Sequence, residues 1–299
     1  MSGVLLYGAP APGLVDVPPG AVQVSPLIPG SQDLAGFDVN IDEGVVLAPA
    51  GTLERDFVLA HTLRLLKPGG SLLAFGPKDK GGSRLKKALE GFGCVVGETA
   101  RRHHRFCQVV RPEALRGVDE AIVAGAPRIV PQLGVWSQPG VFSWDRIDPG
   151  SARLMAILPP LAGRGADLGC GVGLLAQQVL ASAEVSQLTC VDIDRRATEC
   201  ARRNLDDPRV EVVWADARGL ALSALDFVVM NPPFHDGGAE DRDLGVSFIR
   251  AAAGMLRKGG TCWLVANRHL PYEAPLAAAF AKAEVRADAG GYKIIEARK

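Results

Sequence analysis

The sequence predicts an α/β protein built from two tandem halves of one doubly wound design, the first of them degenerate. Three observations carry this. Short apolar runs with the length of buried parallel strands alternate with helical segments. One such run, Ala166-Asp167-Leu168, enters the glycine turn Gly169-Cys170-Gly171-Val172-Gly173 and continues into a helix. Two stretches offset by 190 residues, LRLLKPGGSLLAFG from Leu63 and AGMLRKGGTCWLVA from Ala253, coincide in helix end, basic residue, Gly-Gly turn and following strand. That coincidence points to an internal duplication.

The chain has 299 residues, room for two domains that each bury a core. We expect them over residues 1–130, without a cofactor site, and 135–299, carrying the chemistry. No 18 apolar residues follow one another, so no membrane-spanning helix is expected. The start lacks a basic segment and soon meets Pro10 and Pro12, which argues against a signal peptide and for a cytoplasmic protein, expected to act as a monomer. Six cysteines in apolar surroundings, with no C-x-x-C pair, fit reduced thiols rather than disulfides or a metal site. With 33 Lys plus Arg against 33 Asp plus Glu, any nucleic-acid footprint must be local. The stretch from Lys78 to Arg116, with Arg101-Arg102-His103-His104-Arg105 at its centre, has a basic excess that suits phosphates.

In chain order, Val45 to Ala48 reads as a strand. Leu53 to Leu66 reads as an amphipathic helix with Phe57, Leu59, Ala60, Leu63 and Leu66 inward, and Lys67-Pro68-Gly69-Gly70 as a break before the strand Leu72 to Phe75. A helix over Ser83 to Glu90 puts Leu85 and Leu89 on one face, and Val95-Val96 and Phe106 to Val110 close the first half. After a Pro-rich link, Gly140-Val141-Phe142-Ser143-Trp144 opens the second half. A helix from Ser151 to Leu158 stops before Pro159-Pro160. Then follow the strand into the glycine turn, a helix over Leu174 to Leu180, a strand over Leu188 to Val191, and a helix capped by Asp194. Strands over Val210 to Trp214 and Phe227 to Met230 complete the reading.

The chemistry-bearing residues fall at successive strand ends, where open α/β sheets keep their ligands. Glycines at 169, 171 and 173 let the backbone turn tightly and approach a ligand. A dinucleotide fingerprint would need glycine where Leu174 stands, which weakens an NAD reading. Asp192 ends the next strand, placed to accept from two ribose hydroxyls; Asp216 follows the third, placed to receive an adenine amine. Asn231-Pro232-Pro233-Phe234 follows the fourth. An Asn carbonyl and the backbone carbonyl of Pro232 can both accept from one planar NH2 group, the prolines hold the backbone rigid, and Phe234 offers a face for a flat base.

Asp-x-Gly-x-Gly-x-Gly from Asp167 resembles the first motif of class I S-adenosylmethionine (SAM)-dependent methyltransferases, and Asn-Pro-Pro-Phe resembles the motif of those acting on exocyclic or amide nitrogens. The likeness implies that the glycine turn cradles the methionine part of SAM and that Asp167 holds its amino group. Over residues 135 to 299, Pro139-Gly140-Val141-Phe142-Ser143, Asn231 through Gly237, Val265-Ala266-Asn267, Leu270-Pro271-Tyr272 and Gly291-Tyr292-Lys293 resemble the small-subunit ribosomal RNA guanine-N2 methyltransferase C family. That family has two tandem class I methyltransferase-like (Rossmann-like) domains, the first degenerate. The resemblance implies transfer of methyl from SAM to the exocyclic amine of a guanine in ribosomal RNA, naked or in the assembled small subunit. Asn231, Pro232 and Phe234 would be catalytic. Asp167, Gly169, Gly171, Gly173, Asp192, Asp216 and Asn231 would bind the cofactor, and Phe142, Pro233, Phe234 and His235 the substrate, with no metal. Related Asn-Pro-Pro motifs serve protein glutamine or DNA adenine, commonly with Tyr after the prolines; Phe234 with His235-Asp236-Gly237 favours guanine. A large-subunit target, or a silent SAM-binding assembly factor, are the other readings.

Overall fold

The computed structural model describes residues 3–37, 40–232, 235–236, 239–240 and 242–299. The chain divides into two compact units, Met1–Arg128 with Gln138–Gly140, and Ile129–Ser137 with Val141–Lys299.

The N-terminal unit contains β1 (Val4–Tyr7), β2 (Val22–Gln23), β3 (Ile41–Leu47), α1 (Thr52–Leu65), β4 (Leu66–Pro77), α2 (Leu85–Gly91), β5 (Val96–Arg101), β6 (His104–Val110) and α3 (Val118–Gly125). Its sheet runs β2-β1-β3-β4-β6-β5, parallel except for the pairs made by β6. The helix expected from Leu53 is α1, and Leu59, Ala60 and Leu63 are buried on it as the periodicity requires. Arg55, His61 and Thr62 are buried with them, which periodicity did not foresee.

A short ribbon of β7 (Arg128–Val130) and β8 (Val135–Ser137) precedes the main body of the second unit. There follow α4 (Pro149–Ile157), β9 (Gly163–Leu168), α5 (Leu174–Leu180), β10 (Val185–Asp192), α6 (Arg195–Asn204), β11 (Val210–Trp214), β12 (Leu225–Met230) and the small β13 (His235–Asp236) and β14 (Ala239–Glu240). The unit closes with α7 (Arg242–Met255), β15 (Leu256–Asn267), α8 (Glu273–Ala279), β16 (Lys282–Ala289) and β17 (Tyr292–Arg298). Its seven-stranded sheet is ordered β11-β10-β9-β12-β15-β17-β16, with β17 antiparallel to both neighbours. The strands that carry the candidate residues, β9, β10 and β12, are each buried over four successive residues, 165–168, 188–191 and 227–230, at or next to the ends where those residues lie.

Lys67-Pro68-Gly69-Gly70 does not break the chain as expected. β4 continues through it, because the four residues bulge outward opposite Asp42 alone while Ile41 pairs with Leu66 and Glu43 with Ser71. Asp42 accepts from Lys67 Nζ at 2.8 Å across the bulge. The second unit repeats the device: Leu225 pairs with Leu256, Phe227 with Thr261, and Asp226 accepts from Arg257 Nε at 2.6 Å. The glycines at the bulge tips, Gly69 and Gly259, share a left-handed φ of 81° and 79°.

Candidate active site

At the carboxyl end of β9 the backbone turns on three glycines, all left-handed, with φ of 79° at Gly169, 55° at Gly171 and 93° at Gly173, which caps α5. Any other residue would strain such a run. A Cβ on Gly173 would press on Leu205 Cδ1 at 3.0 Å, so that glycine serves packing. A Cβ on Gly171 would meet nothing within 4 Å: the turn faces open space there. Gly169 and Cys170 donate to Val191 O at 2.8 and 3.0 Å, tying the turn to β10. Asn204 braces its far side, donating to Val172 O at 2.9 Å.

Asp167 sits one residue inside β9 and is 1% exposed, yet neither carboxylate oxygen makes a hydrogen bond. Burial, then the charge of Asp192, push its carboxyl up to about 8, while the Ala176 amide pulls weakly the other way. An orphaned carboxylate in a protein interior is costly unless a cation completes it. Asp192, at the end of β10, accepts from the Gly171 amide at 2.8 Å through Oδ2 and from the Asp194 amide at 2.9 Å through Oδ1, and burial raises it to about 6. Two acids and an open glycine cradle at adjacent strand ends fit the ammonium and ribose of SAM.

Asp216 lies beyond the end of β11, and its carboxylate is already paired. Arg218 donates to it from its backbone amide at 2.9 Å, from Nε at 2.9 and 3.1 Å and from Nη2 at 2.6 Å. That pairing holds Asp216 below the usual carboxylate range. Its expected bond to an adenine amine would share the carboxylate with Arg218, whose three donors leave room for one more.

Asn231 leaves β12 beside Gly169, whose added Cβ would stand 3.8 Å from the Asn231 carbonyl. Its orientation comes from a helix the sequence reading began too late. Asp148 caps α4, accepting from Ser151 N at 2.8 Å, with Pro149 at the first helical position. The Asn231 amide donates its two hydrogens to Asp148 Oδ2 at 3.0 Å and Ser151 Oγ at 2.9 Å. With both donors committed, Oδ1 is the functional end of the side chain, an acceptor. The Asp-Pro pair could have signalled the cap; nothing local signals the reach to Asn231.

Pro232 is buried behind Asn231. Pro233 and Phe234 lie outside the described residues, and His235 is described only as backbone in β13. Phe142 is 70% exposed, held out by a turn in which Ser143 has φ +48° and Trp144 donates to Val141 O at 3.1 Å. Of the basic run, Arg101 and Arg102 donate to Leu14 O and Gly13 O at 2.6 and 2.9 Å, and Arg105 faces Glu98 at 3.9 Å. Those arginines are engaged within their own unit. All six cysteines are free and buried.

The sheet order, the glycine turn and the acids at its flanks define a methyltransferase of class I architecture. Residues 132–296 match the family model of the Methyltransferase small domain. The chain is 32% identical over 270 residues to the ribosomal RNA small subunit methyltransferase C of Shewanella amazonensis, covering 88% of this chain and 79% of that one. With its counterpart from Pseudomonas aeruginosa it shares 33% over 278 residues, 89% and 83% of the two chains. Among solved structures, the T. thermophilus 16S rRNA N2 G1207 methyltransferase in complex with AdoMet and guanosine superposes with a TM-score of 0.73 at 26% identity, covering 89% of this chain and 75% of that one. The chain belongs to the ribosomal RNA small subunit methyltransferase C family.

Proposed function

We propose that this chain transfers a methyl group from SAM to the exocyclic N2 amine of a specific guanine in small-subunit ribosomal RNA. The observation that carries the chemistry is the Asn231 amide, whose hydrogens are spent on Asp148 and Ser151 so that only an acceptor is left for an incoming amine. The relatives named above supply the guanine and the ribosomal subunit.

When bound, SAM supplies a methyl group made electrophilic by its sulfonium. What remains for the protein is positioning and exclusion of water. Asp167 receives the cofactor's ammonium, Asp192 its ribose hydroxyls, and the turn from Gly169 to Gly173 makes room for its methionine part, with Asp216 at the adenine end. Asn231 Oδ1 and the Pro232 carbonyl accept the two hydrogens of the guanine amine. Holding them there disfavours conjugation of the nitrogen lone pair into the ring and aims it at the methyl group. Phe234 stacks on the base, worth about 1–3 kcal/mol, with Pro233, His235 and the exposed Phe142 as further contacts. A paired guanine must leave its helix first, at a cost of about a few kcal/mol. The methylated nitrogen sheds its proton readily, so His235 serves as a contact rather than a base.

The N-terminal unit, residues 1–130, binds no SAM in this reading. Between β1 and β2 it has neither helix nor glycine run among the described residues, and β3 ends in Leu47-Ala48-Pro49-Ala50 where β12 leads into Asn231. No described helix is long and apolar enough to cross a membrane. The enzyme would work in the cytoplasm, as a monomer, without a metal. Small and large ribosomal subunits from cells lacking this gene, incubated with the protein and methyl-labelled SAM, test the reading. Label recovered as N2-methylguanosine from small-subunit RNA is the expected result; label only in large-subunit RNA, in protein, or nowhere refutes it.

A further inference from the structure

Asn204 ends α6 and commits its whole side-chain amide to two other stretches of its own unit. Its Oδ1 accepts from the Trp136 amide at 2.8 Å, and its Nδ2 donates to Trp136 O and to Val172 O, each at 2.9 Å. Trp136 belongs to β8 and Val172 to the glycine turn. Toward β8 the carboxamide stands in for a neighbouring strand, meeting both the N–H and the C=O of one residue as an antiparallel partner would. Toward the turn it supplies its remaining donor. Asparagine favours a helix less than alanine, leucine or lysine does, so helix formation does not account for it at this position. Nor does the sheet need the helix: the N-terminal unit builds its own with no helix between β2 and β3 among the described residues.

Beside that tie the same pieces share a small apolar cluster. Val135 of β8, Val141 and Val172 of the turn are buried in it with Ala197 and Cys200 of α6, and Trp136 and Trp144 pack against it. Val141 is 3% exposed, yet the next residue, Phe142, is held out to solvent. Phe142 is thus carried by residues rooted in the cluster beside the cofactor's cradle. Apolar contacts are non-directional, so they gather these pieces without fixing their register. The three hydrogen bonds of Asn204 fix it.

We infer that Asn204 is a positioning residue that latches β8 to the glycine turn, so that SAM seated in the turn fixes the Phe142 side of the site for the incoming guanine. The inference rests on the reading that SAM occupies the turn and that Phe142 meets the base. Ordering of the turn passes from Val172 through Asn204 to Trp136, and through the shared cluster to Val141 and Phe142. A ligand that orders what a second ligand needs ordered lowers the second one's cost, and the gain is reciprocal. Cofactor and guanine therefore bind with positive coupling, and Asn204 carries it.

The test is hydrogen exchange in the full chain, with and without SAM, at the Trp136 amide and across residues 141–144, in the parent, N204A and N204D. N204D keeps the acceptor for the Trp136 amide but sets a carboxylate oxygen against the carbonyls of Trp136 and Val172. SAM should slow exchange at these amides by about tenfold or more in the parent and hardly at all in either variant. R203A, which takes a cation from the Trp136 ring at 4.7 Å but spares the latch, should behave as the parent. In calorimetry, S-adenosylhomocysteine, which transfers no methyl, should tighten guanosine binding roughly 5- to 150-fold in the parent and leave it nearly unchanged in N204A. A parent whose exchange at these amides ignores SAM overturns the latch, as does a variant that melts like the parent and keeps the SAM-dependent slowing. Because exchange is read with SAM alone, it decides the latch even where guanosine fails to bind, a failure that falls on the guanine reading instead.

Discussion

Replacing Asp148 by alanine should slow methyl transfer without touching the cofactor, because Asp148 meets neither substrate nor SAM in this scheme and acts through Asn231. The carboxylate does two things: it caps α4 through Ser151 N at 2.8 Å and holds the Asn231 amide at 3.0 Å. Loss of the cap costs about 1 kcal/mol of stability. The bond to Asn231 is charge-assisted, worth about 1.5–3 kcal/mol. If that energy is what keeps Oδ1 toward the amine in the transition state, kcat falls roughly 10- to 150-fold. Ser151→Ala removes the neutral partner and leaves the cap, so it should cost about 0.5–1.5 kcal/mol, roughly 2- to 10-fold in kcat. Ser151→Thr keeps the hydroxyl and should recover it. Single-turnover methyl transfer at saturating RNA, beside calorimetric SAM binding, reads these effects apart. A full rate in Asp148→Ala, or a loss confined to SAM affinity, would refute the argument that this helix cap orients the catalytic amide.

Asn231→Ala should abolish transfer while SAM binding stays nearly intact; a variant that still turns over at the normal rate would remove Asn231 from the chemistry. Asp167, at about 8 in the free chain, must ionise to hold an ammonium, so SAM binding should release a proton and tighten by up to about tenfold per pH unit as pH rises toward 8, levelling above it. Asp167→Asn should lose that dependence, and a flat wild-type profile between pH 6 and 8 would contradict it. The same shift has a sign in stability. Between the ordinary value near 3.8 and about 8 the native state keeps a proton the unfolded state has lost, so the ligand-free protein loses stability as pH rises through that window, less so in Asp167→Asn. Both Gly173→Ala and Gly171→Ala impose a Cβ on a left-handed backbone and should lower the melting temperature, Gly173→Ala the more because its methyl also presses on Leu205, while Gly171→Ala, whose methyl enters the open cradle, should in addition weaken SAM binding. Titration with SAM should give one equivalent per chain; a second would show that the N-terminal unit also binds it.

What the sequence disclosed and what it withheld follow from the range of the forces involved. Strand runs such as Val210–Trp214 and the helix Leu174–Leu180 stand where apolar patterning put them, because burial on a sheet demands that pattern locally. The glycine turn was equally legible, since only glycine tolerates three left-handed residues so close together. Long-range pairings were not. Asp148 reads as a cap at most, and only the tertiary fold brings it to Asn231, 83 residues on. Asp216 stands at the expected strand end, but its pairing with Arg218, two residues away, was not read from the sequence. Arg55 is not among the inward positions that the helical periodicity marks, yet it is 2% exposed. The Lys-Pro-Gly-Gly run looked like a terminator because composition cannot distinguish a chain break from a bulge that lets the strand resume.

That bulge also records history. Asp42 and Asp226 sit at the amino ends of their strands, remote from the carboxyl ends where the second unit keeps its candidate site, and each holds a basic partner across the same loop. No catalytic task explains an ion pair there twice. Both units thus close the foot of the sheet in the same way, a likeness that a duplication of one domain would leave whatever happened at the opposite end. The bulge is accordingly the landmark by which the two units can be laid over one another, residue for residue at an offset of 190 along β4 and β15.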